Sequence, residues 1–153
     1  MIAASMDVIF ASRDAKFLAG LFEYFSVPWD IPARKAKELI LESRFLDAEE
    51  ALELGFVNRL LEADELETET RNYALRVAES SSTALCMGKL AVNKAQDAQG
   101  FSANIEAAFA DFMVATYTGG DWQRPTERRL GGVDLALRGL RGERAGQIPK
   151  IEK

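Results

Sequence analysis

The order of apolar and polar positions divides this 153-residue chain into a short strand-forming part and a longer helical part. Residues 7–12 (DVIFAS) are an apolar run rich in β-formers, which predicts a buried strand. Residues 15–18 predict a second short strand or an edge. The stretch 18–32 is aromatic and irregular and contains two prolines, which predicts a loop. Its last residue, Pro32, stands at the first position of a predicted helix over residues 33–43.

A short helix with both ends marked follows this first helix. Asp47 is a good N-cap, and Glu50 stands three residues later as its capping-box partner, although Asp replaces the usual Ser or Thr. The helix AEEALEL (48–54) then ends at Gly55, the expected glycine just past a helix C-terminus. Residues 56–60 predict a further strand.

Beyond this strand the pattern is almost entirely helical. One predicted helix begins after residues 63–65 and ends at the serines 80–82; two more cover residues 83–99 and 101–117. The predicted fold class is therefore α/β and mostly helical. Two short strands make no independent sheet, so the DVIFA strand is expected to need neighbours on its edges and cover on its faces.

The charge of the chain is unevenly distributed. The net charge of -5 argues against general binding of nucleic acid or of an anionic membrane. Residues 124–153 nevertheless carry eight Lys or Arg against four Asp or Glu, so this tail is basic while the rest is acidic. The tail could attract phosphate, or it could be solvated and without a partner.

Histidine is absent, which excludes Ser–His and Cys–His nucleophilic pairs and nearly all zinc sites. Acid–base chemistry must then come from carboxylates, Lys or Tyr. Cys86 is the single cysteine, so no intrachain disulfide can form; a reducing cytoplasm is the expected compartment, and Cys86 is expected to be a buried core thiol. No run approaches the ~18 apolar residues of a membrane span.

Three segments in register resemble the crotonase superfamily, the enoyl-CoA hydratases and isomerases. DVIFASRDAKF (7–17) is similar to the family segment D-x-x-x-A-x-x-x-A-x-F. PARKAKELILESRFLDAEEALELGFVNRLLEADEL (32–66) is similar to the family's helix, capped helix, glycine and strand, and MGKLAVNKAQDAQGF (87–101) to its K-x-x-x-N helix. The resemblance runs from about residue 1 to residue 117.

This resemblance implies a fold and a division of the chain. Residues 1–62 would be a remnant of the crotonase ββα spiral, residues 63–120 the C-terminal helical trimerisation region, and residues 121–153 a basic tail containing Gly and Arg. A homo-trimer or hexamer is the implied assembly. Exposed strand edges and apolar surface would in any case favour an oligomer or a complex.

The resemblance also implies chemistry on acyl-CoA thioesters. In the family two backbone N–H groups hold the enolate oxyanion, and one or two carboxylates add or remove a proton. No cofactor is implied beyond the coenzyme A of the substrate. Both N–H donors and the first glutamate of the family would fall at or before Met1, so the chain is expected to lack the front half and to be inactive alone. A second chain could supply that half. The alternatives are a non-catalytic oligomerising or acyl-CoA-binding paralogue, or a fragment of a longer enzyme.

Six side chains are candidates for the site that the resemblance implies. Glu23 is the one carboxylate near the family's second glutamate, and it could equally be an ordinary loop residue. Tyr24 and Trp29 could line a groove for acyl-CoA, or simply pack.

The other three candidates lie on the predicted helices. Phe109 and Phe112 could close an acyl pocket or pack in a trimer, and Lys89, like Lys94, could meet a CoA phosphate or be a solvated helix charge.

Overall fold

The computed structural model describes residues 2–18, 25–42 and 44–118, with the backbone alone at 115, 116 and 118. Glu23 and Tyr24 and the tail 121–153 lie outside the described residues. A 3-10 turn at Ala3–Ser5 comes first. The strands are β1 (Phe10–Ser12), β2 (Lys16–Leu18), β3 (Phe45–Asp47) and β4 (Arg59–Leu61). The helices are α1 (Val27–Asp30), α2 (Ala33–Glu42), α3 (Ala48–Glu53), α4 (Leu66–Ala78), α5 (Ser82–Ala98) and α6 (Phe101–Thr118).

The strands form two small pairs. β1 runs parallel to β4, with Ala11 opposite Leu60, and β2 runs antiparallel to β3, with Phe17 opposite Leu46. The strands predicted in 7–12 and 15–18 are confirmed, and the one predicted at 56–60 begins three residues later. The α/β, mostly helical fold class is confirmed. β3 was not predicted, because its three residues show no periodicity of their own.

A compact apolar core joins these strands to the first three helices. It includes Leu39 on α2, which is 1% exposed, together with residues from α1, α3 and the strands. Ala36 lies one turn before Leu39 on the same face of α2, so both point into this core. The buried members are Ala11, Val27, Ile31, Ala36, Leu39, Leu46, Ala51 and Val57.

The ends of α3 follow the sequence closely. Asp47 Oδ1 accepts a hydrogen bond of 2.9 Å from the backbone N–H of Glu50, which confirms the predicted N-cap. The second half of the predicted capping box is wrong, because the Glu50 carboxylate binds Arg44 instead. Gly55 has φ +83°, the left-handed conformation in which glycine ends a helix at least cost.

The region predicted as a loop contains the short helix α1. Pro28 lies in its first turn, where a missing N–H costs nothing, and the backbone N–H of Trp29 donates to the Ser26 carbonyl at 2.7 Å. Val27 and Ile31 of this region are buried in the core. The loop prediction was therefore wrong for residues 27–30. Pro28 lies in the first turn of a helix here, and Pro32 follows its end.

The three long helices confirm the helical reading of the second half of the chain. α5 has no buried residue, and it exposes four large apolar side chains. These are Leu85, Met87, Leu90 and Val92. Cys86 is also exposed, so the prediction of a buried core thiol was wrong. Within the described residues, no helix is both long and apolar enough to cross a bilayer.

Candidate functional site

An apolar cavity of about 190 Å³ lies between α1, α2 and the β2–β3 pair. Phe17 of β2 stands in its wall, and the ring of Phe56 meets Phe17 edge-on, with 5.1 Å between the ring centroids. The remaining lining is apolar except for Lys16. The cavity is lined by Ala3, Ala4, Lys16, Phe17, Leu18, Val27, Ile31, Leu39, Leu46 and Phe56. A cavity of this composition suits a short hydrocarbon chain.

A larger polar cleft of about 510 Å³ lies between the start of the chain and helices α5 and α6. Carboxylates, amides and hydroxyls dominate its walls, and Lys89 is the one cation among its lining residues in the described part of the chain. The cleft is lined by Ala4, Ser5, Met6, Asp7, Asp30, Lys89, Val92, Asn93, Gln96, Asp97, Phe101 and Ser102.

Helix α1 contributes to both of these spaces. Val27 and Ile31 line the apolar cavity, while Asp30, between them in sequence, lines the polar cleft. Ala4 is also shared by the two linings. The apolar cavity and the polar cleft are therefore neighbours, and together they could hold a ligand with one apolar and one polar end.

Asp30 is a carboxyl group of the polar cleft with a displaced pKa. Burial raises its pKa above the ordinary value of 3.8, and the hydrogen bond that the buried Ser26 hydroxyl donates, at 2.5 Å, opposes this rise. A carboxyl group with a raised pKa is better suited to proton transfer near neutral pH than an ordinary one. The sequence prediction missed Asp30 because it lies in the supposed loop. The signal that could have found it is Ser26 followed by Pro28, a helix-start pattern.

Lys89 forms an ion pair across the polar cleft. Its Nζ lies 2.5 Å from Asp7 Oδ2, and the two residues are 82 positions apart in the chain. Asp7 begins the first of the family-like segments, and Lys89 and Asn93 are the marked residues of the third. The structure brings these three residues to one cleft, which sequence spacing alone did not predict. A contact of Lys89 with a CoA phosphate stays a prediction.

The aromatic candidates do not converge on either space. Trp29 meets Phe101 edge-on, with 5.6 Å between the ring centroids, so it joins α1 to α6. Phe109 is 49% exposed and Phe112 half-buried on α6, and neither lines the apolar cavity or the polar cleft. Their roles at an acyl pocket stay predictions. Among the residues described, no group of three or more His, Cys, Asp or Glu could hold a metal ion.

A comparison with known families tests the resemblance seen in the sequence. The sequence model described as enoyl-CoA hydratase/isomerase matches residues 2–119. The chain therefore belongs to the enoyl-CoA hydratase/isomerase family, and the resemblance seen in its sequence is confirmed.

Individual relatives extend this result. EchA13 of Mycobacterium tuberculosis, named as an enoyl-CoA hydratase, is 39% identical over 118 residues, which are 71% of this chain and 37% of the relative. The crystal structure of a probable enoyl-CoA hydratase from Mycobacterium smegmatis is 41% identical, with a TM-score of 0.65, over 68% of this chain and 46% of the other.

A more complete structural match is the enoyl-CoA hydratase/isomerase from Xanthobacter autotrophicus Py2. It is 27% identical with a TM-score of 0.66, over 92% of this chain and 56% of that one. The chain thus spans between about a third and somewhat more than half of the length of these relatives.

Proposed function

We propose that this chain takes part in chemistry on acyl-CoA thioesters of the enoyl-CoA hydratase/isomerase type. The observation that carries this proposal is the family match over residues 2–119, on a fold that superposes on solved hydratases. The apolar cavity beside Phe17 supports it, because an acyl chain needs an apolar receptor. No cofactor is required beyond the coenzyme A of the substrate, and the reducing cytoplasm is the proposed compartment.

Residues 2–118 do not carry the whole reaction in this proposal. Hydration or isomerisation needs paired N–H donors for the enolate oxygen and a positioned carboxylate. In the described residues, Asp30 is a carboxyl group at the polar cleft whose pKa burial raises. Turnover therefore requires a further part of the family fold, in this polypeptide or in a partner that supplies the front half.

The ligand would lie along the two neighbouring spaces. Phe17, Val27 and Ile31 offer contacts for an acyl chain, and the polar cleft offers hydrogen bonds to the groups beyond the thioester. Phe109 and Phe112 line neither space within one chain, so we propose that they would close the acyl pocket of a neighbouring copy. Lys89 would reach a phosphate only by exchanging Asp7 for it, since Asp7 already neutralises its charge.

Self-association through the exposed helices is the proposed assembly. Leu85, Leu90 and Phe109 are each more than two-fifths exposed, and they lie on α5 and α6. These two helices contact each other, and exposed apolar side chains on them would favour an interaction surface. A homo-trimer or hexamer would cover them, and so would a complex with a chain carrying the missing part of the catalytic apparatus.

Three measurements test this proposal together. The native mass of the untagged protein from its own cells shows whether a second chain is bound. Hydration of a short trans-2-enoyl-CoA is followed by its absorbance. Calorimetry compares the affinity for butyryl-CoA with the affinity for free CoA. We expect butyryl-CoA to bind more tightly than CoA and the chain alone not to turn over.

Substitution of Phe17 tests whether the apolar cavity binds the acyl group of the ligand. Phe17→Ala should weaken the binding of butyryl-CoA and leave the binding of CoA unchanged. Leu52→Ala, at an exposed apolar site on α3, should change neither affinity. Equal affinity for CoA and butyryl-CoA would reject the acyl site. Turnover by a homo-oligomer of this chain alone would instead reject the proposal that a further part of the family fold is needed for catalysis.

A further inference from the structure

An apolar groove of about 410 Å³ lies between the start of the chain and helix α4. Met6 and Val8 line it from the start of the chain, and Leu66 and Tyr73 line it from α4. We call this space the α4 groove. It shares Ala3 with the apolar cavity and Met6 with the polar cleft, and its other lining residues in the described part of the chain belong to neither. The α4 groove is therefore separate from the candidate acyl site.

The α4 groove presents apolar side chains to water. Met6 is 53% and Val8 40% exposed. Phe10 and Tyr73 are half-buried in its wall, where their rings meet edge-on with 5.0 Å between the centroids. Adjoining apolar side chains that remain exposed mark a surface that binds another segment or molecule. The occupant that fits this groove must itself bring apolar side chains.

The chain beside the α4 groove is acidic. Residues 62–69, which lead into α4, contain five carboxylates and no Lys or Arg. Glu62 is paired with Arg13, whereas Asp64 and Glu67 have no cation within 4 Å among the described residues. The helix dipole favours carboxylates in the first turn of α4, so these residues do not by themselves require a ligand. Next to an apolar groove, however, they favour a basic occupant over an acidic one.

The C-terminal tail has the complementary sequence. Four of its apolar residues follow one another at intervals of three, four and three positions, the spacing that lines one face of a helix. They are Leu130, Val133, Leu137 and Leu140. Residues 128–144 also contain five Arg against two acidic residues. This segment lies outside the described residues, and its sequence supplies both the apolar and the basic groups that suit the α4 groove.

The tail is long enough to reach this groove within one chain. Helix α6 ends at Thr118, twelve positions before Leu130. An extended connection of that length spans about 40 Å, whereas a compact unit of about 100 residues has a radius of gyration of only about 13 Å. A short tether also gives an effective concentration in the millimolar range. Weak contacts are therefore enough to keep the tail bound.

We propose that residues 130–140 of the chain's own tail dock in the α4 groove. Their apolar side chains would cover Met6, Val8 and Tyr73, and the arginines around them would lie beside the carboxylates of residues 62–69. Docking removes from water the apolar surface that the described residues leave open. This inference does not depend on acyl-CoA binding, since the α4 groove is separate from the apolar cavity.

A cysteine placed in the groove reports on docking in the full chain. Thr70 is exposed and lines the α4 groove, whereas Thr68 is exposed on the same helix and does not line it. Thr70→Cys and Thr68→Cys are made separately in a Cys86→Ser background, so that each protein has one thiol. The rate of its reaction with iodoacetamide, a neutral reagent, measures access to that position. A docked tail shields the thiol at position 70 and leaves the thiol at position 68 open.

Removal of apolar side chains from the tail should release this shielding. We expect Leu137→Asp combined with Leu140→Asp to raise the reaction rate at position 70 by at least about twofold. The reason is that a millimolar effective concentration keeps a segment of submillimolar affinity docked in more than half of the molecules. The rate at position 68 should stay the same.

A second pair of variants tests the charge contribution. Arg138→Glu combined with Arg141→Glu should also raise the rate at position 70, because it places like charges beside the carboxylates of residues 62–69. Lys150→Glu combined with Lys153→Glu makes the same change in net charge outside the docking segment. This control should match the parent protein.

Three results would overturn the proposal. The first is a rate at position 70 that the change of Leu137 and Leu140 leaves unaltered. The second is an equal rise for the control pair at 150 and 153, which would assign the effect to net charge. The third is shielding that disappears on dilution of the protein, because the groove would then be covered by another copy rather than by the tail of the same chain.

Discussion

Arg44 and Glu50 face each other in a two-pronged ion pair across the start of α3. Arg44 Nη1 lies 2.6 Å from Glu50 Oε2, and Nη2 lies 2.7 Å from Oε1. This geometry matches the planar fork of the guanidinium to both carboxylate oxygens, which makes such pairs stronger than ordinary surface contacts. It ties the segment before β3 to the helix after it, and it explains why Glu50 does not complete the capping box.

Removal of Arg44 should destabilise the fold in a pH-dependent way. The hydrogen bonds from Arg44 lower the pKa of Glu50 below its ordinary value of 4.5. A lowered folded-state pKa contributes stability above the unfolded-state pKa, and this stability is lost as the pH falls through the folded-state value. Arg44→Met should therefore lower the free energy of unfolding by about 1–2 kcal/mol at neutral pH and by less in acid.

Urea unfolding at several pH values checks this prediction. Arg34→Met is the control, because Arg34 is an exposed arginine on the neighbouring helix α2. A loss for Arg44→Met that stays constant from neutral to acid pH would contradict the linkage to Glu50.

Asp30 should show the opposite pH dependence. Burial raises its pKa from 3.8, so its ionised form destabilises the folded state above the folded-state pKa. This penalty is relieved as the pH falls through the raised pKa toward the unfolded-state value. Asp30→Asn keeps an oxygen for the Ser26 hydroxyl and removes the charge, so it should stabilise the protein at neutral pH by roughly 1 kcal/mol or less.

The difference in thermal unfolding between Asp30→Asn and the parent should shrink between about pH 7 and about pH 4. Asp14→Asn, at an exposed position after β1, controls for the change in net charge. An equal gain from both variants would assign the effect to net charge and would refute the role of burial.

Leu39 is the position where a core substitution should cost most. It is 1% exposed, whereas Leu41 on the same helix is 84% exposed. Leu39→Ala removes buried methyl groups and leaves a cavity, so it should lower the free energy of unfolding by about 2–4 kcal/mol. Leu41→Ala should change it by less than about 0.5 kcal/mol. Chemical denaturation of both variants measures this contrast, and similar losses would mean that Leu39 is not in the core that the structure shows.

The sequence predicted best what local chemistry decides. The Asp47 cap and Gly55 define α3 within a span of nine residues, and both were found where they were expected. β3 was missed because its order comes from pairing with β2, far back in the chain. Cys86 was misplaced for a similar reason: its residue type and sequence neighbours do not determine burial, and α5 has no buried residue in this fold.

The candidate site was harder to predict than the elements. The contact between Asp7 and Lys89 joins positions 82 residues apart, and no spacing rule connects them. Asp30 became a candidate only when burial by its neighbours raised its pKa. Side-chain environment depends on tertiary packing, so residue type and order give the family resemblance more readily than the geometry of a site.

Gly55 and Gly88 should respond in opposite directions to the same substitution. A Cβ would have no atom within 4 Å at either position, so collision is not the issue. Gly55 has φ +83°, where an L-residue is strained, and Gly55→Ala should cost about 1 kcal/mol. Gly88 lies inside α5, and Gly88→Ala should stabilise that helix by up to about 1 kcal/mol. Unfolding free energies of the two variants check the signs, and a stabilising Gly55→Ala would show that α3 does not end in the left-handed turn.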